Sequence, residues 1–136
     1  MGMRNSSPDK ILKALSTFVE FFQRHRIPYA LIGAMTLNIY GRPRTTLDID
    51  FLVLLDETDF INFKEIVTTE GIQIDDEWVK WNPMIAENQV RFTVENISVD
   101  VMLPRDYHDK RIFTRRRRKK VGNKMLWLIA PEDLIL

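Results

Sequence analysis

The chain has 136 residues, of which 45% are hydrophobic and 29% are charged, a balance typical of one folded domain with a substantial core. The absence of cysteine excludes disulfides, thiolate metal sites and cysteine nucleophiles, and the presence of only two histidines argues against a histidine-rich zinc site. No apolar run reaches the roughly 18 residues that a membrane span needs, and residues 1–10 lack the apolar core of a signal peptide. We therefore expect a single cytoplasmic domain over residues 1–136 that does not engage membranes.

Charge is divided unevenly along the chain. Residues 1–104 contain 10 basic and 15 acidic residues, a net charge of −5, whereas residues 105–136 contain 10 basic and 4 acidic residues, a net charge of +6. The basic part is therefore suited to an anionic partner.

Helices and strands alternate in the first half of the predicted structure. The expected order is helix 6–25, strand 29–32, helix 34–40, strand 47–55 and helix 56–71. Ser7 suits the N-cap of the first helix and Pro8 suits its first turn, while Gly33 ends the first strand. The strand over residues 47–55 is apolar on both faces apart from two aspartates, so we expect it to be a central strand covered on both sides.

Two hairpins dominate the second half. Residues 72–86 are ambiguous between strand and loop. The later segments are a hairpin over 89–103 turning at Glu95–Asn96, a short helix or loop over 104–114, a hairpin over 115–130 turning at Gly122–Asn123, and a helix starting at Pro131. This order predicts an α+β (mixed α/β) fold with a mixed sheet.

Three aspartates interrupt strands that otherwise look like core. Asp48 and Asp50 lie two positions apart and so face the same side of their strand, and Asp100 interrupts the apolar sequence SVDVM in the same way. If the two strands are neighbours, three carboxylates converge on a patch suited to divalent cations, which would remove their mutual repulsion. An EF-hand is excluded because the required glycine position is Val53. A solvated pair at the start of the strand is the alternative.

The turn before the aspartates carries groups suited to phosphate. Gly33 lies between a predicted strand and helix, where the backbone N–H groups of Ala34 and Met35 would face outward. The hydrogen-bond donors that follow are Arg42, Arg44, Thr45 and Thr46. An ordinary turn glycine and a solvated loop are the alternatives.

These motifs together resemble a known superfamily. The stretch LIGAMTLNIYGRPRTTLDIDFLV resembles the signature of the polymerase-β-like nucleotidyltransferases, in which a strand, a glycine turn and a short helix precede D-x-D on the next strand. The motif RTTLDID and the C-terminal sequence IAPEDLIL are most similar to those of the minimal nucleotidyltransferases, a group that includes abortive-infection type toxins. The resemblance covers about residues 27–136 and implies the nucleotidyltransferase fold, a central mixed sheet flanked by helices.

The resemblance also implies an activity and a site. The activity is transfer of a nucleoside monophosphate from an NTP to an acceptor hydroxyl, with release of pyrophosphate and with two Mg²⁺ ions, or Mn²⁺, as cofactors. The implied catalytic residues and metal ligands are Asp48, Asp50 and Asp100, of which Asp100 also helps to deprotonate the acceptor. The implied nucleotide-binding residues are Gly33, Ala34, Arg44 and Thr46.

Two features depart from the family pattern. Ala34 stands where relatives have glycine or serine, and in relatives the sequence PEDLIL is usually followed by a lysine and more helix. Both departures favour an alternative, in which the chain lacks a C-terminal helical extension and is a catalytically impaired nucleotide-binding module acting with a protein partner. A further alternative is a nucleic-acid-binding domain whose carboxylates are vestigial.

A run of basic residues offers a second kind of site. The run consists of Arg115, Arg116, Arg117, Arg118, Lys119 and Lys120, and it is suited to the phosphates of tRNA or another nucleic acid acceptor. The alternative is an edge strand protected by charge. Phe113 is the only aromatic ring near the run in sequence, and strand alternation allows about three of the six side chains on one surface.

Overall fold

The computed structural model of the protein describes residues 8–40, 48–84 and 88–134. The α-helices in these ranges are α1 (Pro8–Arg24), α2 (Ala34–Ile39), α3 (Glu57–Thr69), α4 (Asp76–Trp81) and α5 (Tyr107–Thr114). The strands are β1 (Tyr29–Ile32), β2 (Asp48–Val53), β3 (Gln73–Ile74), β4 (Gln89–Val94), β5 (Ile97–Met102), β6 (Arg117–Val121) and β7 (Lys124–Leu128). A 3-10 helix over Pro131–Asp133 follows β7.

The seven strands form one mixed sheet in the order β3-β4-β5-β2-β1-β7-β6. Strand β2 is central, antiparallel to β1 and parallel to β5, which confirms the central position predicted for this strand. Strand β1 is also parallel to β7, and the pairs β4–β5 and β6–β7 are the two predicted hairpins. Glu95 and Asn96 both have positive φ angles, 49° and 69°, as a two-residue type I′ turn requires.

The main core lies on one face of this sheet, under α1 and α3. Phe18 and Phe22 of α1 pack on the sheet, with ring centroids 5.4 Å from Phe92 and 5.0 Å from Phe51 respectively. Each fully buried phenylalanine stabilises the fold by about 1.5–3 kcal/mol. Because Phe51 points into this layer, side chains at alternate positions of β2 must point to the other face.

The opposite face is only partly covered. Ala30, Leu52 and Phe113 form a smaller buried cluster there, so α5, which carries Phe113, covers one part of the face. Asp50 lies two positions before Leu52 on β2 and therefore shares this face. The aspartates thus lie beside a helix-covered patch on the second face of the sheet.

Two segments differ from their predicted structures. Residues 72–86 contain the two-residue strand β3 and the short helix α4, whose N-cap Asp75 accepts a 3.0 Å hydrogen bond from the Trp78 N–H. The helix predicted from Pro131 is a single 3-10 turn, because Leu134 has already returned to extended backbone. In the described ranges, no helix is both long and apolar enough to cross a lipid bilayer.

Candidate functional site

Strand register brings two of the three aspartates together. Asp50 on β2 lies directly opposite Asp100 on the parallel strand β5, and Asp48 lies opposite Ser98. Asp50 and Asp100 lie close enough for their charges to interact, and Asp100 is only 5% exposed. The two carboxyl groups therefore face each other across adjacent strands, where little water reaches Asp100.

Arg91 supplies a positive charge to this cluster. It lies opposite Asp100 on β4, where its Nε donates to Oδ1 at 2.7 Å and its Nη2 donates to Oδ2 at 2.9 Å. This two-point contact is the strongest geometry available to an arginine and a carboxylate. The hydrogen bond with Asp100 raises the pKa of Arg91, and the Asp48 and Asp75 carboxylates act in the same direction.

Burial dominates the ionisation of Asp50. It raises the pKa of this carboxyl from 3.8 to about 7, with further contributions from the negative charges of Asp100 and Asp48. Arg91 opposes the shift but does not cancel it. The site therefore has more acid than its own cation can neutralise, which is the condition that favours binding of another cation.

The predicted glycine turn lies directly against Asp50. Gly33 has a φ of +78°, and a Cβ atom built on it would lie 3.2 Å from Asp50 Cγ and closer still to Oδ2. The neighbouring residue Ile32 pairs with Asp50 across the β1–β2 ladder. A glycine is thus needed here to leave room for the Asp50 carboxylate, a role that the sequence analysis missed because it considered only phosphate.

Of the other predicted nucleotide-binding residues, Ala34 lies within the described part of the chain. Ala34 is the first residue of α2, directly after the Gly33 turn. Arg44 and Thr46 lie outside the described residues. Their predicted contacts with a triphosphate therefore stay predictions.

The residues around Asp50 meet some, but not all, of the requirements of a divalent-cation site. Carboxylate oxygens are the ligands that Mg²⁺ and Mn²⁺ prefer, and the missing Cβ of Gly33 leaves space beside Asp50. However, the described ranges contain no group of three or more acidic or histidine side chains arranged to hold a metal. Both oxygens of Asp100 instead bond to Arg91, so coordination of a metal by all three carboxylates stays a prediction.

A tryptophan borders the site on the β4 side. The guanidinium carbon of Arg91 lies 5.6 Å from the centre of the Trp78 ring. Helix α4 is fixed there because the backbone N–H of Asp75 donates to the Arg91 carbonyl at 2.8 Å. Sequence analysis missed Arg91 as a site residue and did not place Trp78 in a helix, although the N-cap aspartate before DEWVKW was a signal for one.

Half of the basic run has structural partners. Arg115 binds Asp133, and Arg117 binds Glu132 at 2.6 Å. Arg116 donates from Nε to the Tyr29 carbonyl at 3.0 Å. Three of the six residues predicted to contact nucleic acid are thus already engaged within the protein.

Arg116 also packs against two aromatic rings. Its guanidinium carbon lies 4.3 Å from the Phe113 ring centre and 4.1 Å from that of Trp127. Trp127 pairs with Arg118 across the β6–β7 hairpin, at 5.6 Å. The ring that sequence analysis did not find beside the basic run is therefore Trp127, which is distant along the chain and adjacent in the sheet.

A cavity of about 290 Å³ opens beside these residues. Arg26, Arg116 and Arg118 line it together with aromatic and aliphatic side chains, and no acidic residue is among the described residues that line it. Lys120 lies opposite Met125 on the same side of the hairpin as Arg118. Lys119 points to the other side, toward Tyr40.

Comparisons with known proteins establish the fold. The sequence matches no known protein family, and it matches no curated protein. Among solved structures, the chain is similar to a "putative nucleotidyltransferase" from Thermotoga maritima, with a TM-score of 0.60 and 11% sequence identity over 93% of this chain and 81% of that one. The chain therefore has the fold predicted from its sequence motifs, that of the nucleotidyltransferases, with a central mixed sheet flanked by helices.

Proposed function

We propose that the protein is a divalent-cation-dependent nucleotidyltransferase of the minimal, abortive-infection toxin-like type. It would transfer a nucleoside monophosphate from an NTP to an acceptor hydroxyl. The observation that carries this proposal is the pairing of Asp50 with Asp100 on adjacent parallel strands, directly against the Gly33 turn. Because cells make NTPs in the cytoplasm, we propose that the reaction takes place there.

The reaction is an in-line displacement at the α-phosphorus. The acceptor oxygen forms a bond to phosphorus, the bond to the bridging oxygen breaks, and pyrophosphate leaves with that electron pair. Mg²⁺ or Mn²⁺ held by Asp48 and Asp50, next to Asp100, would position the phosphates and neutralise their charge. The proposed hydrogen-bond donors to the triphosphate are the backbone N–H of Ala34 and the side chains of Arg44 and Thr46.

Asp100 is the proposed acceptor of the hydroxyl proton. Each of its oxygens accepts one hydrogen bond from Arg91 and keeps a second lone pair. Arg91 also fixes the plane of the carboxylate, so the remaining lone pairs have a defined direction. The arrangement is therefore compatible with proton transfer at this carboxylate.

Calorimetry with a non-hydrolysable NTP tests the proposal. Binding should require Mg²⁺ or Mn²⁺ and should be lost in Asp50→Asn, whereas Asp59→Asn, an exposed position on α3, should bind as the wild type does. Binding that survives both a chelator and Asp50→Asn would overturn the proposal. Cation-dependent binding without transfer of a labelled α-phosphate to any acceptor would favour the impaired nucleotide-binding module instead.

Nucleic acid binding at the β6–β7 hairpin is a second candidate function. The specific observation in its favour is the cavity lined by three arginines and Trp127 without an acidic side chain among its described lining residues. Arginine and lysine bind phosphates, and an aromatic ring beside them can stack on a base. The acceptor of the transferred nucleotide would then be tRNA or another nucleic acid.

Neighbouring arginines provide a matched test of this candidate. Arg118→Ala should weaken binding of a labelled single-stranded RNA about five- to ten-fold at low salt and reduce the salt dependence. Arg117→Ala should change binding less than about two-fold, because Arg117 already pairs with Glu132. Equal effects of the two substitutions, or no effect of either, would contradict a binding surface centred on Arg118.

A further inference from the structure

Arg91 is held rigidly in the middle of the acidic cluster. Its neighbours on β4, Val90 and Phe92, are 2% and 0% exposed and anchor the strand in the core. The Arg91 carbonyl accepts the hydrogen bond from Asp75, and the guanidinium lies beside the Trp78 ring. Both the backbone and the side chain are therefore fixed in the position that faces Asp100.

Among the described residues, Arg91 and a single divalent ion would together balance the charge of the three carboxylates. Asp48, Asp50 and Asp100 carry three negative charges when ionised, and Arg91 carries one positive charge. One divalent cation would complete neutrality. A second divalent ion at Asp100 would have to displace Arg91 from both carboxylate oxygens and leave a guanidinium with only 25% of its side-chain surface exposed to solvent, which is unfavourable.

We infer that Arg91 is a built-in cation that replaces one of the two metal ions expected at this site. The protein then binds one divalent ion, through Asp48 and Asp50, and Arg91 neutralises and orients Asp100. Arg91 is a positioning residue in this arrangement, since it acts through Asp100. The inference rests on the proposed function, because it specifies how the same site is charged.

The number of Mn²⁺ ions bound per chain tests the inference. Electron paramagnetic resonance of free Mn²⁺ at about pH 8, without nucleotide, should give one bound ion for the wild type and none for Asp50→Asn. Arg91→Met should bind two ions, because Asp100 becomes available. Arg91→Gln removes the charge but can keep one hydrogen bond to Asp100, and it should also bind two ions. This variant provides a second test if Arg91→Met does not fold.

Two controls separate the local effect from a general loss of arginine. Arg91→Lys keeps a positive charge beside Asp100 and should bind one ion. Arg24, at the end of α1, likewise bonds both oxygens of a carboxylate, that of Glu70, at 2.8 and 2.9 Å. The Arg24→Met variant should also bind one ion.

The outcomes distinguish this inference from the proposed function. A count of two in the wild type, or a count that stays at one in both Arg91→Met and Arg91→Gln, overturns the role of Arg91 while the cation site survives. A count of zero in the wild type overturns both the role of Arg91 and the proposed function.

Discussion

Two regions of the protein differ in the environment of their charged side chains, which are buried or partly buried in one region and mostly exposed to solvent in the other. The carboxylate face, formed by Asp48, Asp50, Asp100 and Arg91, lies against the buried part of the sheet, and Asp100 is 5% exposed. The basic hairpin, formed by residues 115–128, carries a longer run of like charges, but its strand β6 is at the edge of the sheet and consists mostly of exposed side chains.

Burial, and not the number of charges, determines in which region the charged side chains cost more free energy. The basic hairpin tolerates its charges because water solvates them and Glu132 and Asp133 pair with two of them. On the carboxylate face there are fewer charges, but burial, followed by the negative charges of Asp100 and Asp48, raises the pKa of Asp50 to about 7. A cluster that the fold cannot neutralise alone is the better candidate for a functional site.

The largest expected effect is the pH dependence of stability that Asp50 causes without metal. The unfolded chain releases this proton near 3.8 and the folded chain near 7. Proton binding therefore stabilises the fold fully below pH 3.8, and this stabilisation is lost as the pH rises through about 7. The shift corresponds to about 4 kcal/mol, which urea denaturation of the metal-free protein between about pH 5 and 8 would measure in large part.

Asp50→Asn sharpens this prediction because the amide cannot ionise. The variant should lose most of the pH dependence and should be more stable than the metal-free wild type at about pH 8, although it loses cation binding. The carboxylate of Asp133 in the other region has a pKa lowered by Arg115, so its stabilising pair is lost only as the pH falls. A wild-type protein that becomes more stable between pH 5 and 8 without metal would contradict the prediction.

The next largest effect is expected at the turn that contacts the carboxylate face. Gly33→Ala should destabilise the protein by about 3 kcal/mol, since it adds a Cβ against Asp50 at a φ of +78°. Gly71→Ala is the matched control, because Gly71 has a φ of +94° but no atom within 4 Å of the added Cβ. It should cost only the backbone part, about 1 kcal/mol. Equal losses of stability for the two variants in chemical denaturation would show that contact with Asp50 is unimportant.

Sequence patterns predicted the elements of the fold better than the partners of its charges. The apolar run around Asp48 and Asp50 predicted a central strand, because apolar side chains on both faces require cover on both sides. The Asp100–Arg91 pair depends on the β4–β5 register, and Trp127 reaches the basic run only across a hairpin. Both registers follow from the turns predicted at Glu95–Asn96 and Gly122–Asn123. The pairing of β2 with β5 that brings Asp50 to Asp100 is different, because the amino-acid pattern of one strand does not contain it.

A smaller effect is expected from Arg116, the partly buried arginine of the basic hairpin. Arg116→Ala should destabilise the protein by about 2 kcal/mol, since it removes contacts with the Phe113 and Trp127 rings and a hydrogen bond to the Tyr29 carbonyl. Arg116→Lys should recover less than half of this loss, because lysine lacks the planar guanidinium. Thermal denaturation of both variants checks this, and a loss below about 0.5 kcal/mol for Arg116→Ala would mean that burial does not distinguish Arg116 from its neighbours.

The smallest effect is expected one residue further along, at an exposed ion pair. Arg117 binds Glu132 at 2.6 Å, but both side chains are more than half exposed, at 57% and 58%. Water and salt screen such a pair, so a double-mutant cycle with Arg117→Ala and Glu132→Gln should give a coupling free energy below about 0.5 kcal/mol that decreases further at high salt. A short ion pair at the surface would then contribute less than the packed arginine beside it, which extends the contrast between the two regions to adjacent residues of the chain. A coupling above about 1.5 kcal/mol would instead show that exposure does not set the strength of charge pairs in this protein.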